Sequence, residues 1–492
     1  MAFNISTNKI AKKKLVKKIE TKFSGRVGVN EGKIERVLEG QGKISVSTCE
    51  RVGDGYQLSG NVTVDAIYLN NEKQICSELI ITDFNERVRL SETDEMFVVP
   101  KIKEIRLSKD AEEQIVATTS VEFLIYGVVY DEIEVVSGED EACHTLSHEV
   151  EVNQLVASAN SSISLSSMVE FVENSKVLSL SAETAFSSVV ARENYAEVEG
   201  ATIIDIWILE GEQIKKVQKS IDFKEEIPLL NCREGMVLNF AYYDKSINYV
   251  KDENVIDVNV SVAIWAMETL KMSVIDDAFS EKEVLELTVS EFDNYIAEQT
   301  KFFSERKTII IDTTSKKRLD EVLIVGAVNT GIEQTTSTDA GVLIEGKINL
   351  PIIYKNYDND DIMSATLTAP FDILISADMK EGLDLESSIV AELTARVNSY
   401  KNKAGKEISL VVDFEGVMDT ETQKREQYVA KLEKRAPLEK KKSSIVVYKP
   451  KANESVFNIA KNLKISPDVL RAQNPQLEDG VLCSQVVVFT KF

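Results

Sequence analysis

The residues with the greatest capacity for chemistry lie in one short stretch, residues 143–148 (CHTLSH), which holds both histidines of the 492-residue chain. With Glu141 they are the one combination of thiol, imidazole and carboxylate in the sequence that suggests a metal site. A tight zinc site usually takes four ligands, often as two closely spaced pairs, and this stretch has no second pair nearby. Because this stretch has too few ligands for a zinc site, we interpret it as polar residues in a loop that connects strands.

Other catalytic motifs are incomplete. A Ser or Cys nucleophile needs a nearby His, and the chain has no Gly-x-Ser-x-Gly elbow. Residues 40–43 (GQGK) lack the first Gly and the Ser or Thr of a phosphate loop, so they predict a turn before a strand. Residues 358–361 (DNDD) lack the Gly and Glu of a calcium loop and predict a hairpin tip. We therefore expect no enzyme, no cofactor and no metal.

The composition narrows the class of protein. With 81 acidic and 57 basic residues the formal net charge is -24, which argues against nucleic-acid binding because phosphate contacts need clustered Lys and Arg. Five scattered cysteines do not form a disulfide framework and are expected to be reduced. The basic N-terminus has no following apolar run, so it lacks the pattern of a secretory signal and is expected to be a solvated tail or first helix. Together these features predict a cytoplasmic protein.

A repeat sets the domain organisation. Three glycines, each followed by an alternating apolar strand that ends in an aromatic residue, recur 140 and 146 residues apart: Gly60, Gly200 and Gly346, with Tyr68, Trp207 and Tyr354. A second anchor lies 24, 23 and 25 residues after these glycines: Phe84, Phe223 and Phe371. Alternation rich in Val, Ile, Thr and aromatic residues is typical of half-buried strands. We predict a mainly β chain of three tandem antiparallel β-rich, sandwich-like domains, with a helical piece at residues 290–305.

The last fifty residues predict a different, small α+β module. A basic segment, expected to be a helical tail and charged linker, precedes it and breaks at Pro437. A strand at 445–448 is followed by an N-cap signal at 453–455, a helix through Leu463, a second helix that starts after Ser466-Pro467, and a strand at 486–489. The predicted order is β-α-α-β.

The predicted divisions of the chain are a basic N-terminal segment at 1–24, repeats at 25–165, 166–305 and 306–420, a charged linker at 421–443, and the module at 444–492.

The C-terminal module resembles the LysM family in the order of its elements, its helix-core positions and the Asn-Pro that ends the second helix. The resemblance implies a binding groove between two loops, formed by Asn453, Glu454, Ser455, Val456, Asn474 and Pro475. LysM modules bind N-acetylglucosamine polymers through this groove. Residues 453–455 (NES) replace the family's Gly-Asp-Thr, which leaves two alternatives: a groove that docks a protein, or one that grips peptidoglycan.

The repeats ahead of the module resemble the SPOCS domains of clostridial spore-coat morphogenetic proteins of the SipL type. That resemblance implies a non-enzymatic scaffold for spore coat assembly on the mother-cell side of the developing spore surface. It also implies that the LysM-like module docks the basement-layer morphogenetic ATPase of the coat, and self-association through the β domains is a further expectation.

Overall fold

The computed structural model describes residues 4–489 apart from 91–94, 138–141, 173–174, 314–318, 357, 359–360, 377–389, 404–405, 439–444, 452–453, 476 and 478–485. The chain is mainly β, as the alternating pattern predicts, and the two helices found among the described residues both lie in the last fifty residues. In chain order the elements are β1 (Asn4–Gly28), β2 (Ile34–Val52), β3 (Gly55–Asn70), β4 (Ile75–Arg89), β5 (Met96–Lys109), β6 (Gln114–Ser137), β7 (Cys143–Met168), β8 (Lys176–Arg192), β9 (Tyr195–Glu210), β10 (Gln213–Pro228), β11 (Val237–Val250), β12 (Val255–Ser280), β13 (Glu283–Asp312), β14 (Leu319–Val325), β15 (Asn329–Thr338), β16 (Gly341–Asn356), β17 (Ile362–Ile375), β18 (Val390–Lys403), β19 (Glu407–Pro437), β20 (Ile445–Tyr448), α1 (Val456–Leu463), α2 (Pro467–Gln473) and β21 (Val486–Phe489).

The strands before the module pair in the same way three times. Set 1 (β1–β6) forms the sheets β1-β6-β5 and β2-β3-β4, and set 2 (β7–β12) forms β7-β12-β11 and β8-β9-β10. Set 3 (β13–β19) forms β13-β19-β18 and a sheet in which β14 and β15 share one edge of β16 while β17 takes the other. All of these pairings are antiparallel.

The two sequence anchors are neighbours across a strand pair. Gly60 lies opposite Phe84, Gly200 opposite Phe223, and Gly346 opposite Phe371. Each Phe ring covers its glycine so closely that an added Cβ would lie 2.8, 2.7 and 2.8 Å from the ring Cζ. The same rings also join the two sheets of a set, since Phe84 stacks on Phe23 of β1 at 5.0 Å and Phe371 packs on Phe414 of β19 at 4.7 Å. The nearly constant Gly-to-Phe spacing therefore reflects one packing motif.

In each set one strand pair continues past the third strand of its sheet, and we call these two-stranded extensions the three arms. The first arm pairs residues 4–12 with 129–137, the second 143–155 with 267–280, and the third 283–297 with 421–437. The arms share one hydrophobic cluster, to which all three contribute: Ile10, Ile133, Val135, Val150, Val152, Val274, Phe292, Tyr428 and Ala430.

Side-chain amides also tie the second arm to the third. Asn153 Nδ2 donates to the Tyr295 carbonyl at 3.0 Å, and Asn294 Nδ2 donates to the Glu151 carbonyl at 2.6 Å. Each bond satisfies a polar group that lies inside the contact between two arms. The three arms thus share apolar packing, and reciprocal hydrogen bonds join the second arm to the third.

The arms correct three sequence predictions. From Asn4 onward the basic N-terminal segment is strand β1, which runs to Gly28 and pairs with β6; it is neither a solvated tail nor a helix. Residues 290–305 lie inside β13, and the segment predicted as a helical tail and linker is strand β19 as far as Pro437. These two strands pair along their length, so each supplies the backbone partners that the other would have found within a helix. Residues 439–443 of the predicted linker and residue 444 of the predicted module lie outside the described residues.

A buried ion pair joins all three sets where the arms begin. Lys13 Nζ of β1 lies 2.7 Å from Asp419 Oδ2 of β19 and donates to the Phe240 carbonyl of β11 at 2.9 Å. Thr300 Oγ1 lies 2.6 Å from the other carboxylate oxygen of Asp419. The side chains of Lys13 and Asp419 are 4% and 5% exposed. Both charges are therefore removed from water and depend on each other.

Candidate partner-binding module

The C-terminal module has the predicted order β-α-α-β, with β20 and β21 paired antiparallel. The first helix ends at Leu463 as predicted, and its N-cap Ser455 accepts a hydrogen bond from the Asn458 backbone N–H at 3.2 Å. Ser466 caps the second helix, with Pro467 at its first position. Lys464 ends α1 in a left-handed conformation, φ 54°. Local sequence signals thus fix both helices.

The module closes around a small apolar core that includes one residue of the second arm. Its members are Val456, Ile459, Ala460, Leu463, Ile465, Leu470, Leu477 and, from β12, Phe279. Phe279 is 1% exposed. The module therefore completes its core against the body of the protein.

The groove residues predicted from the LysM resemblance have different surroundings. Ser455 and Pro475 are exposed and Glu454 is half-buried, whereas Val456 and Asn474 are 2% and 1% exposed. Asn453 lies outside the described residues. Within this set, Glu454, Ser455 and Pro475 offer surface to a ligand, and Val456 belongs to the core.

Glu454 organises the loop that leads into α1. Its carboxylate accepts hydrogen bonds from Tyr448 Oη at 2.8 Å, from Asn462 Nδ2 at 3.0 Å and from the Lys451 backbone N–H at 2.8 Å. Partial burial raises the pKa of Glu454, but the bonds from Lys451 and Tyr448 outweigh burial and hold the pKa below its usual value. The side chain therefore stays charged near neutral pH and holds the loop before α1 in place.

Asn474 supports the fold of the module. Its Nδ2 donates to the Leu470 carbonyl at 2.9 Å, and its backbone N–H caps the end of α2. We expect Asn474→Ala to lower the free energy of unfolding of the module by about 1 kcal/mol, because a buried side-chain hydrogen bond is lost while the Leu470 carbonyl keeps the Asn474 backbone N–H. Hydrogen exchange of the α2 amides measures this change. Val469→Ala, at a 45% exposed position of the same helix, should change it by less than about 0.5 kcal/mol; equal losses in both variants would contradict the assigned role.

The arm makes polar as well as apolar contacts with α1. Lys461 Nζ lies 2.6 and 2.5 Å from the two carboxylate oxygens of Asp277, and the ring of Phe457 meets that of Phe279 edge to face at 5.3 Å. Lys464 Nζ lies 5.7 Å from the centre of the Phe279 ring. One face of α1 is therefore covered by β12.

The two histidines lie on the second arm and each meets a carboxylate. His144 Nε2 is 2.7 Å from Glu281 Oε1, and His148 Nδ1 is 2.7 Å from Asp276 Oδ1. Both belong to strand β7 instead of the predicted loop. Among the described residues no group of three or more His, Cys, Asp or Glu side chains is placed to hold a metal ion, and Glu141 lies outside them.

A buried polar cluster, which the sequence did not indicate, lies between sets 1 and 2. Residues 40–43, predicted as a turn, lie inside β2. Burial lowers the pKa of Lys43 to about 8, against the attraction of Asp65, Asp244 and Glu183, and it raises the pKa of Asp65 and of Asp244 to about 6. Ser179 of set 2 donates to Gln41 of set 1 across the contact, and Thr184 donates to Asp244 within set 2. The cluster is enclosed between strands, so we assign it to structure.

The comparisons with known proteins add no relative: neither a family model, a curated protein nor a solved structure matches this chain. In the described ranges, neither helix has the length and apolar character needed to cross a membrane.

Proposed function

We propose that this protein is a non-enzymatic scaffold for spore coat assembly that docks a coat morphogenetic protein through its C-terminal LysM-like module. The partner proposed from the sequence resemblance is the basement-layer morphogenetic ATPase. The observation that supports the proposal is the module itself: a capped β-α-α-β unit in which two of the predicted groove residues, Ser455 and Pro475, are exposed. The cytoplasmic, mother-cell placement belongs to the same proposal.

The architecture suits an adaptor. Three sets of strands bury their arms in a common cluster, so the module is attached to a body with little freedom at the point of contact. A binding element on a rigid support loses less conformational freedom when its partner docks. Self-association through the β domains stays a separate hypothesis.

The test uses the full chain, because Phe279 of the body belongs to the core of the module. Purified chain is titrated with the basement-layer ATPase and, in parallel, sedimented with insoluble peptidoglycan. We expect binding to the ATPase and a loss of at least about tenfold in Pro475→Arg, which places a bulky charge in the groove. Leu230→Arg, at a 74% exposed position of the body, is the matched control and should bind normally.

The outcomes separate the alternatives. Sedimentation with peptidoglycan and no ATPase binding would replace the proposal with the second candidate, a protein that grips peptidoglycan or another N-acetylglucosamine polymer through the same groove. ATPase binding that Pro475→Arg leaves unchanged would keep the adaptor function and remove the groove as its docking site.

A further inference from the structure

Strand β2 of set 1 and strand β8 of set 2 meet through polar side chains. Gln41 and Lys43 lie on the same side of β2 because they are two residues apart, and Asp65 of β3 pairs with Gln41 in the sheet. Across the contact, Ser179 Oγ donates to Gln41 Oε1 at 2.6 Å. Glu183 lies four residues after Ser179 on the same side of β8. The two strands therefore bring acidic and basic groups of different sets together.

The contact holds more carboxylates than cations. Asp244 of β11 lies beside Glu183 and accepts hydrogen bonds from Thr184, from the backbone N–H at 3.2 Å and from Oγ1 at 2.5 Å. Three carboxylates then face the single ammonium group of Lys43, and we call these four residues the junction cluster: Lys43, Asp65, Glu183 and Asp244. By area the four side chains are half-buried, but Lys43 Nζ is out of contact with solvent and has no hydrogen-bond partner among the described residues. The cluster thus keeps an excess of negative charge away from bulk water.

The neighbouring strands do not supply the missing positive charge. Of the cations closest to Glu183, Lys216 pairs with Asp205 at 2.7 Å and Arg396 pairs with Asp413 at 3.0 Å. Glu415 of β19 adds further repulsion to Glu183. The charged groups that face the cluster from other strands are Lys101 of β5, Asp205 of β9, Lys216 of β10, Arg396 of β18 and Glu415 of β19.

This environment changes the affinity of the carboxylates for protons. Burial raises the pKa of Asp65 and of Asp244 to about 6, and burial together with the charge of Asp244 raises the pKa of Glu183 well above its usual value. Burial lowers the pKa of Lys43 to about 8, so its ammonium group remains charged in acid. In the unfolded chain an aspartate binds its proton only near pH ~4. The folded chain therefore holds more protons than the unfolded chain between about pH 4 and 6, and the cluster contributes more stability as the pH falls through that window.

We propose that the junction cluster is a proton-responsive contact, which takes up protons in mildly acidic solution and then holds set 1 more firmly against set 2. Separating the two sets would return the carboxylates to water, where they would release those protons. Proton uptake therefore favours the joined form. The contact lies in the β body, so it is a property additional to partner docking by the module.

The test is a urea titration of the full chain at about pH 7.5 and about pH 5. Asp65→Asn combined with Asp244→Asn replaces two carboxylates by neutral groups of the same shape, and this variant should be more stable than the unaltered chain at the higher pH. Between the two pH values the unfolding equilibrium constant of the unaltered chain should fall at least about tenfold relative to that of the variant. Asp83→Asn with Asp222→Asn is the matched control, because these exposed aspartates each precede an anchor phenylalanine. The control should keep the pH response of the unaltered chain.

A second variant tests the cluster without removing its carboxylates. Lys43→Met leaves three carboxylates with no ammonium group, so its loss of stability should be large at about pH 7.5 and should be mostly recovered at about pH 5. Hydrogen exchange, corrected for its intrinsic pH dependence, should show the recovery in the amides of β2 and β8. Circular dichroism of each variant confirms the fold. If the unaltered chain and the Asp65→Asn/Asp244→Asn chain respond to pH equally, or if acid does not restore Lys43→Met, the inference is wrong.

Discussion

Replacing Lys13 by alanine is expected to lower the free energy of unfolding by about 3–5 kcal/mol, because it leaves the carboxylate of Asp419 buried without its counter-ion. The carboxylate would keep one short contact, with Thr300 Oγ1. The Phe240 carbonyl would lose the ammonium donor as well. Since these groups come from all three sets, the loss should appear as a lower midpoint of the whole β body in a denaturant titration.

The same strand offers a matched control. Lys9 also forms an ion pair, with Glu132, but both side chains are more than 60% exposed. Lys9→Ala should therefore cost less than about 1 kcal/mol. Combining Lys13→Met with Asp419→Leu, which removes both charges, should recover most of the loss. Equal effects of Lys9→Ala and Lys13→Ala would show that the Lys13 pair is not the buried contact described.

Lys13 also shows why part of the fold could not be predicted from the sequence. The lysine-rich N-terminus has the composition of a solvated segment, and the partner of Lys13 lies 406 positions away. Residues 290–305 carry aromatic residues at spacings that fit a helix as well as a strand, and only the pairing of β13 with β19 decides between them. Features that depend on distant strands were therefore missed.

The helix caps, which depend on neighbouring residues, were predicted correctly. The caps at Ser455 and Ser466 place both helices of the module, because a cap is satisfied within three residues. The exposure of the predicted groove residues was harder to predict: Val456 begins α1, and its place in the packed core shows that its side chain does not reach solvent. Whether a residue near a binding loop is free to bind depends on tertiary packing.

The recurrent glycines are an intermediate case. Their spacing was evident in the sequence, but the close packing that requires glycine at these positions was not. At Gly346 an added Cβ would lie 2.3 Å from the Gly331 carbonyl oxygen and 2.8 Å from Phe371 Cζ. The first of these is backbone, which cannot move aside as a flexible side chain can. A methyl group at this position must displace either the β15 strand or the ring that joins the two sheets of set 3.

We therefore expect Gly346→Ala to lower the free energy of unfolding by about 1–3 kcal/mol, with Gly60→Ala and Gly200→Ala behaving alike because each repeats the Gly–Phe pair. Gly331 is the matched control, since it lies in the adjacent strand and its added Cβ would meet nothing closer than 4.0 Å. Gly331→Ala should change stability by less than about 0.5 kcal/mol or raise it slightly, because alanine restricts the unfolded chain. Denaturant titration of the four variants measures the differences. A Gly346→Ala chain as stable as Gly331→Ala would mean that the glycine repeat does not arise from the close approach of the Phe ring and the neighbouring strand.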